Sequence, residues 1–156
     1  MKFIVIVVVI ALAIFYFVKK NTDKKLAIEN VASGKAFLAK NKLNEGVVQT
    51  ASGLQYQVLI KGEGSVHPSA SSTVKVHYHG LLLDGKVFDS SVERGKTISF
   101  PLNQVIKGWT EGVQLMVVGD KFKFFIPAEL GYGNSAAGSI TPGSLLIFEV
   151  ELLEIQ

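Results

Sequence analysis

His77 and His79 flank Tyr78 at a two-residue spacing, which puts both imidazoles on one face of an extended strand. Two imidazoles can begin a metal site, but zinc is usually held by about four ligands. His67 is the one other histidine in the chain, and no third ligand is placed to join the pair. A solvated strand face without metal is therefore the expectation. The 156 residues include no cysteine, which excludes a thiolate nucleophile, an iron–sulfur cluster, a Cys-type zinc site and a disulfide framework. What remains is aromatic and acidic: Tyr78, Phe88-Asp89-Ser90-Ser91, Trp109, Tyr132 between two glycines, and Phe148. Taken singly, Phe88, Trp109 and Phe148 suit a core. Asp89 alone suits a turn, where its carboxylate can bond nearby backbone. Tyr132 alone could simply pack a loop.

Short strands punctuated by glycine must position these residues. Leu54–Val58 and Thr73–His79 alternate apolar and polar side chains, as half-buried strands do. Asp84-Gly85 reads as a hairpin turn. Thr97–Phe100, Lys121–Ile126 and Leu146–Leu152 complete about five strands, and Trp109, Val113 and Met116 mark one short helix within 105–116. Phe125, on the polar side of its strand, is expected to pack against residues 26–42. The fold class is α+β, a curved antiparallel β-sheet wrapped around a short helix.

Residues 3–18 form an unbroken apolar run that would cover about 24 Å as a helix, with Lys2, Lys19 and Lys20 able to extend its reach. No small-residue cleavage site follows it. The expectation is an N-terminal transmembrane helix at residues 1–20, touching the lipid bilayer through residues 3–18. A short helical spacer follows at 21–45, broken at Gly34, with Leu26, Val31, Phe37 and Leu38 on one side and Lys35, Lys40 and Lys42 exposed. Residues 46–156 then form the functional domain. Lys2, Lys19 and Lys20 account for the whole net charge of +3; without them, basic and acidic side chains balance. No basic excess points to nucleic acid.

The segments Val76-His77-Tyr78-His79-Gly80, Asp84–Ser91, Val105-Ile106-Lys107-Gly108-Trp109, Tyr132-Gly133 and Leu146–Leu153 stand together over residues 46–156. In this set the chain resembles an FK506-binding-protein (FKBP) type peptidyl-prolyl cis–trans isomerase. Glu45–Val48 and Ser52–Tyr56 are similar to the bacterial macrophage-infectivity-potentiator (Mip)-like branch of that family. The resemblance implies an FKBP-like half-wrapped sheet with an apolar cavity between its concave side and the short helix. Trp109 would form the floor; Tyr78, Phe88 and Phe148 the walls; Ile98 an aliphatic stretch of wall; Val105 and Ile106 the rim. Tyr132 would offer its hydroxyl to a substrate carbonyl, Asp89 would lie beside the twisted amide, and Ile140 would close the flap. Thr141 stands where many relatives have proline, which would loosen that flap.

The implied activity is acceleration of X-Pro bond rotation in unfolded or folding proline-containing polypeptides, with no cofactor. Tyr78, Asp89 and Tyr132 would be the catalytic residues, and FK506- or rapamycin-type macrolides would bind the same cavity. The alternative is a tethered chaperone that holds clients in that cavity without isomerisation as its main role. The implied location is a bacterial inner membrane, single-pass, with the catalytic domain periplasmic, whereas Lys19, Lys20, Lys24 and Lys25 after the run lean toward a cytoplasmic domain by the positive-inside rule.

Overall fold

The computed structural model describes residues 2–156, with side chains from residue 6 onward. One long helix, α1 (Lys2–Asn41), precedes the strands β1 (Val47–Gln49), β2 (Gln55–Ile60), β3 (Thr73–Leu82), β4 (Val87–Ser90) and β5 (Ile98–Pro101). A short helix α2 (Lys107–Val113) follows, and β6 (Lys121–Ile126) and β7 (Leu146–Ile155) close the chain. The seven strands form one sheet in the order β1-β2-β6-β7-β3-β4, and β5 shares an edge of β3 with β4. Every pairing is antiparallel. The five strands expected from alternation are present. The other two, β1 and β4, are three and four residues long and are not among those expected.

The sheet curls around α2 because its two faces carry different side chains. Val74, Val76 and Tyr78 of β3, Phe122, Phe124 and Ile126 of β6, and Leu146, Phe148, Val150 and Leu152 of β7 are all buried on the concave side. They meet Trp109 and Val113 of α2 in the main core. Gly108 and Gly112, one helical turn apart, let α2 lie directly on β6. A Cβ at Gly108 would stand 2.6 Å from Ile126 Cγ2, and one at Gly112 the same distance from Phe124 Cε1.

The second half of α1 covers part of the convex side. Phe37 packs on Phe125 with ring centroids 5.7 Å apart, and both join a smaller apolar cluster with Leu145 and Ile147. The expected contact of Phe125 with residues 26–42 is thus made. At its C-terminal end α1 is tied down by amides. Asn41 Nδ2 donates to Oε1 of the fully buried Gln55, whose own Nε2 donates to Leu38 O and Gln49 Oε1, all at 2.9 Å.

Two expectations for the N-terminal region are corrected. The transmembrane helix followed by a separate spacer is replaced by one continuous 40-residue helix that does not break at Gly34. Gly34 instead gives α1 a close approach to the loop before β7: a Cβ there would stand 3.1 Å from Leu145 Cβ. No helix among the described residues is long and apolar enough to cross a membrane. The part of the apolar run before Ile6 lies outside the described side chains. The expected single-pass placement in an inner membrane falls with that anchor, and no membrane span supports the bilayer contact expected through residues 3–18.

Candidate functional site

Between the concave face and α2 lies a cavity of about 650 Å³. It is lined by Tyr78, Phe88, Asp89, Phe100, Gln104, Val105, Ile106, Trp109, Tyr132, Ala137, Gly138, Ser139, Ile140 and Phe148. Nine of the ten residues singled out in the sequence are brought together there. The tenth, Ile98, pairs with Val76 and packs on the core outside the lining. Phe100, two residues further along β5, lines the cavity in its place.

The indole of Trp109 is 4% exposed and is enclosed by three rings set nearly edge-on: Phe148 at 5.3 Å, Tyr78 at 5.4 Å and Phe100 at 5.7 Å between centroids. Phe88 and Phe148 meet at 5.2 Å and 89°. Edge-to-face packing sets the positive ring edge against the negative ring face, so the rings hold one another in place. Gly80 makes room for the Phe88–Phe148 pair, since a Cβ there would stand 2.7 Å from Phe88 Cζ and 2.8 Å from Phe148 Cε1. Trp109 Nε1 is buried and finds no hydrogen-bond partner among the described residues.

One wall is polar. The Tyr78 hydroxyl donates to Asp89 Oδ2 at 2.5 Å, and Arg94 donates both to Asp89 Oδ1 and, at 3.1 Å, to the Tyr78 oxygen. The guanidinium also lies 5.8 Å from the Tyr78 ring centroid. Burial raises the Tyr78 pKa above its ordinary value, helped by the carboxylate beside it and opposed by Arg94. Burial pulls Asp89 upward too, but the Tyr78 hydroxyl and the Arg94 guanidinium outweigh it and hold the carboxyl below its usual range. The result is an ionised Asp89 and a neutral Tyr78 over the whole neutral range. Arg94 escaped the sequence reading, although it is the single arginine among 16 basic side chains. That choice suits a planar fork spanning a carboxylate and a phenol, which lysine cannot imitate.

The two histidines on the opposite face of β3 are not simply solvated. His77 Nδ1 pairs with Ser91 Oγ at 2.6 Å and His79 Nδ1 with Ser90 Oγ at 2.8 Å. Ser91 Oγ also accepts the Tyr78 backbone N–H at 2.8 Å, so this side of β3 secures the turn after β4 that carries Arg94. The remaining mouth is formed by Val105, Ile106 and the 131–145 loop, where Tyr132 is 44% exposed.

A curled antiparallel sheet closed on a short helix, with an aromatic hollow and a fixed carboxylate at its wall, defines a class of small α+β domains built around an apolar cavity. Residues 64–153 match the family model described as FKBP-type peptidyl-prolyl cis-trans isomerase, and the chain belongs to that family. Residues 11–58 match the domain amino terminal to it, a match that begins inside the apolar run and continues through α1 to β2. The chain is 57% identical over 138 residues to the FKBP-type peptidyl-prolyl cis-trans isomerase FkpA of Aeromonas hydrophila, covering 88% of this chain and 51% of that protein. It is 47% identical over 133 residues to the outer membrane protein MIP of Legionella longbeachae, covering 85% and 57% respectively. The crystal structure of FkpA from Escherichia coli superposes with a TM-score of 0.83 at 44% identity, covering 88% of this chain and 64% of that one. The chain thus spans between half and three-fifths of the length of these two curated relatives.

Proposed function

We propose that the chain accelerates cis–trans rotation of X-Pro bonds in proline-containing polypeptides, using the aromatic cavity over Trp109. The observation that carries this reading is the enclosure of a lone indole by three edge-on rings, beside a carboxylate whose charge is fixed by two partners. Rotation about a prolyl bond needs no nucleophile, metal or redox group. Its barrier, ~18–20 kcal/mol, comes from amide resonance lost as the bond twists. Uncatalysed exchange takes ~10–100 s.

In the twisted state the nitrogen pyramidalises and the amide loses part of its charge separation. A dry aromatic hollow favours that less polar state over the planar one, and only such differential binding lowers a barrier. Trp109 is the floor under the proline ring, with Tyr78, Phe88 and Phe148 as walls and Val105 and Ile106 as rim. The Ile106 amide, ahead of the first turn of α2 where N–H groups lack intrahelical acceptors, donates to a substrate carbonyl. Tyr132 donates from the opposite lip, and Ile140 closes the flap. Asp89 lies beside the rotating amide, its charge held in place by Tyr78 and Arg94. A lowering of about 4–8 kcal/mol would give roughly 10³- to 10⁶-fold acceleration.

FK506- and rapamycin-type macrolides, which present a carbonyl beside an apolar ring, fit the same hollow. The functional domain is residues 46–156, with α1 as a helical extension. The test is a protease-coupled or exchange-NMR assay with a proline peptide; a rate equal to the uncatalysed one would sink the reading. A second role, holding unfolded segments, is favoured by the cavity's apolar lining, since binding alone makes no use of Asp89. Loss of isomerisation in Asp89→Ala with suppression of client aggregation intact would make holding the primary role.

A further inference from the structure

Ala137 and Ile140 exchange backbone hydrogen bonds of 3.0 and 2.9 Å around Gly138-Ser139, and this turn lines the cavity. The very next residue, Thr141, meets α1. Both amide hydrogens of Asn30 are used there: Nδ2 donates to Thr141 Oγ1 at 3.1 Å and to Pro142 O at 2.8 Å. Ser144 Oγ donates to Thr141 O at 2.7 Å, so the Thr141 hydroxyl supplies the hydrogen in its 2.8 Å contact with Ser144 Oγ and is free to accept from Asn30. One turn earlier on α1, the loop backbone touches the helix backbone. A Cβ on Gly143, whose φ is +75°, would stand 2.4 Å from Ala27 O. No spacer separates the cavity-lining turn from this clasp.

The geometry points to Asn30 as a positioning residue for the substrate cavity: α1 holds the Ala137–Ile140 turn in place over a bound peptide, although among the described residues α1 contributes nothing to the cavity lining. This rests on the isomerase reading above. The link needs a group with two hydrogens facing two acceptors, which a carboxamide supplies and a carboxylate does not. It also uses the Thr141 hydroxyl, at a position where proline would offer no acceptor side chain. A loosened turn weakens capture of the peptide while leaving the walls and Asp89 untouched, so the effect falls on KM.

The test uses the full chain with Asn30→Ala, Asn30→Asp and Thr141→Val, and Glu29→Ala on the exposed side of α1 as control. Amide hydrogen exchange at Ala137 and Ile140 is read beside KM and kcat for a proline peptide. In the first three variants exchange at these two amides should quicken about tenfold or more, and KM rise about three- to tenfold, with kcat within about twofold. The control should change neither. Unaltered exchange in Asn30→Ala would overturn the assignment, as would exchange that quickened equally in β3 and β7, which means general destabilisation. Faster loop exchange with unchanged KM would also overturn it. If the unsubstituted chain itself lacked isomerase activity, the isomerase reading would fall, and loop exchange alone would decide whether Asn30 holds the turn.

Discussion

Tyr78 and Asp89 share a 2.5 Å hydrogen bond across the register of β3 and β4, the phenol donating and the carboxylate accepting, while Arg94 contacts both from outside. Two neighbouring strands thereby place a neutral hydroxyl and a fixed negative charge on one wall of an otherwise apolar hollow. The perturbed titration of the pair has consequences at both ends of the pH scale.

An unfolded aspartate takes up its proton near pH ~4, whereas folded Asp89 does so at lower pH. Its contribution to stability is therefore complete above the unfolded value and is lost as pH falls through the folded one. An unfolded tyrosine ionises near pH ~10 and folded Tyr78 above that, so its contribution is complete below the unfolded value and lost as pH rises through the folded one. Between roughly pH 5 and 9, kcat/KM should be flat with respect to this pair. In Arg94→Ala the Asp89 carboxyl should titrate at higher pH, measured by NMR of its side-chain carbon; an unmoved titration would contradict the role given to the guanidinium.

Trp109 is the single tryptophan, so its fluorescence reports on the cavity floor alone. A proline peptide or a macrolide entering the cavity should shift or quench that emission saturably. Trp109→Leu should keep the fold and lower kcat/KM by more than about tenfold, because three edge-on rings lose their common partner. Trp109→Ala should in addition lose about 3–5 kcal/mol of stability in urea denaturation.

Gly112→Ala should destabilise the protein even though alanine is the better helix former by about 1 kcal/mol. The added methyl meets the ring of fully buried Phe124, where overpacking costs about 1–3 kcal/mol. Gly80→Ala should act on the site, since its methyl would push apart Phe88 and Phe148. Here kcat/KM should fall more than the melting temperature does. Unchanged kinetics in a folded Gly80→Ala variant would show that this ring pair is not needed.

Asn41→Ala leaves the Oε1 of fully buried Gln55 without the donor it has in the folded protein. An unsatisfied buried acceptor costs about 1–3 kcal/mol, so the urea midpoint should drop accordingly. Fluorescence of Trp109, on the far side of the sheet, should report the same transition.

Much of this was legible in the linear chain because it depends on local repetition. Alternation along Thr73–His79 and Leu146–Leu152 marked the central strands, Asp84-Gly85 marked the hairpin, and the residues singled out include nine of the fourteen that line the cavity. Arg94 was not legible, because nothing local distinguishes a surface arginine from one that reaches back five residues to a carboxylate. Phe100 and Ile98 share one face of a short strand, and choosing between them needs to know where α2 crosses. The N-terminal run was misread for a different reason: local hydropathy marks an apolar segment but not the helix it belongs to, which runs on through Asn41 without a break.

The amino-acid sequence alone determined the chemistry excluded by the lack of cysteine, the alternating strands, the short glycine-bearing helix and the kinds of side chain gathered on the concave face. Only the tertiary structure decided which of those side chains share the cavity, that Arg94 locks the Tyr78–Asp89 pair, and that α1 runs unbroken to clasp the loop at Thr141. The physical reason is range. Strand and helix periods are set by neighbours two to four residues apart, whereas Asn30 and Thr141 are 111 residues apart in the chain and meet only once the sheet has closed.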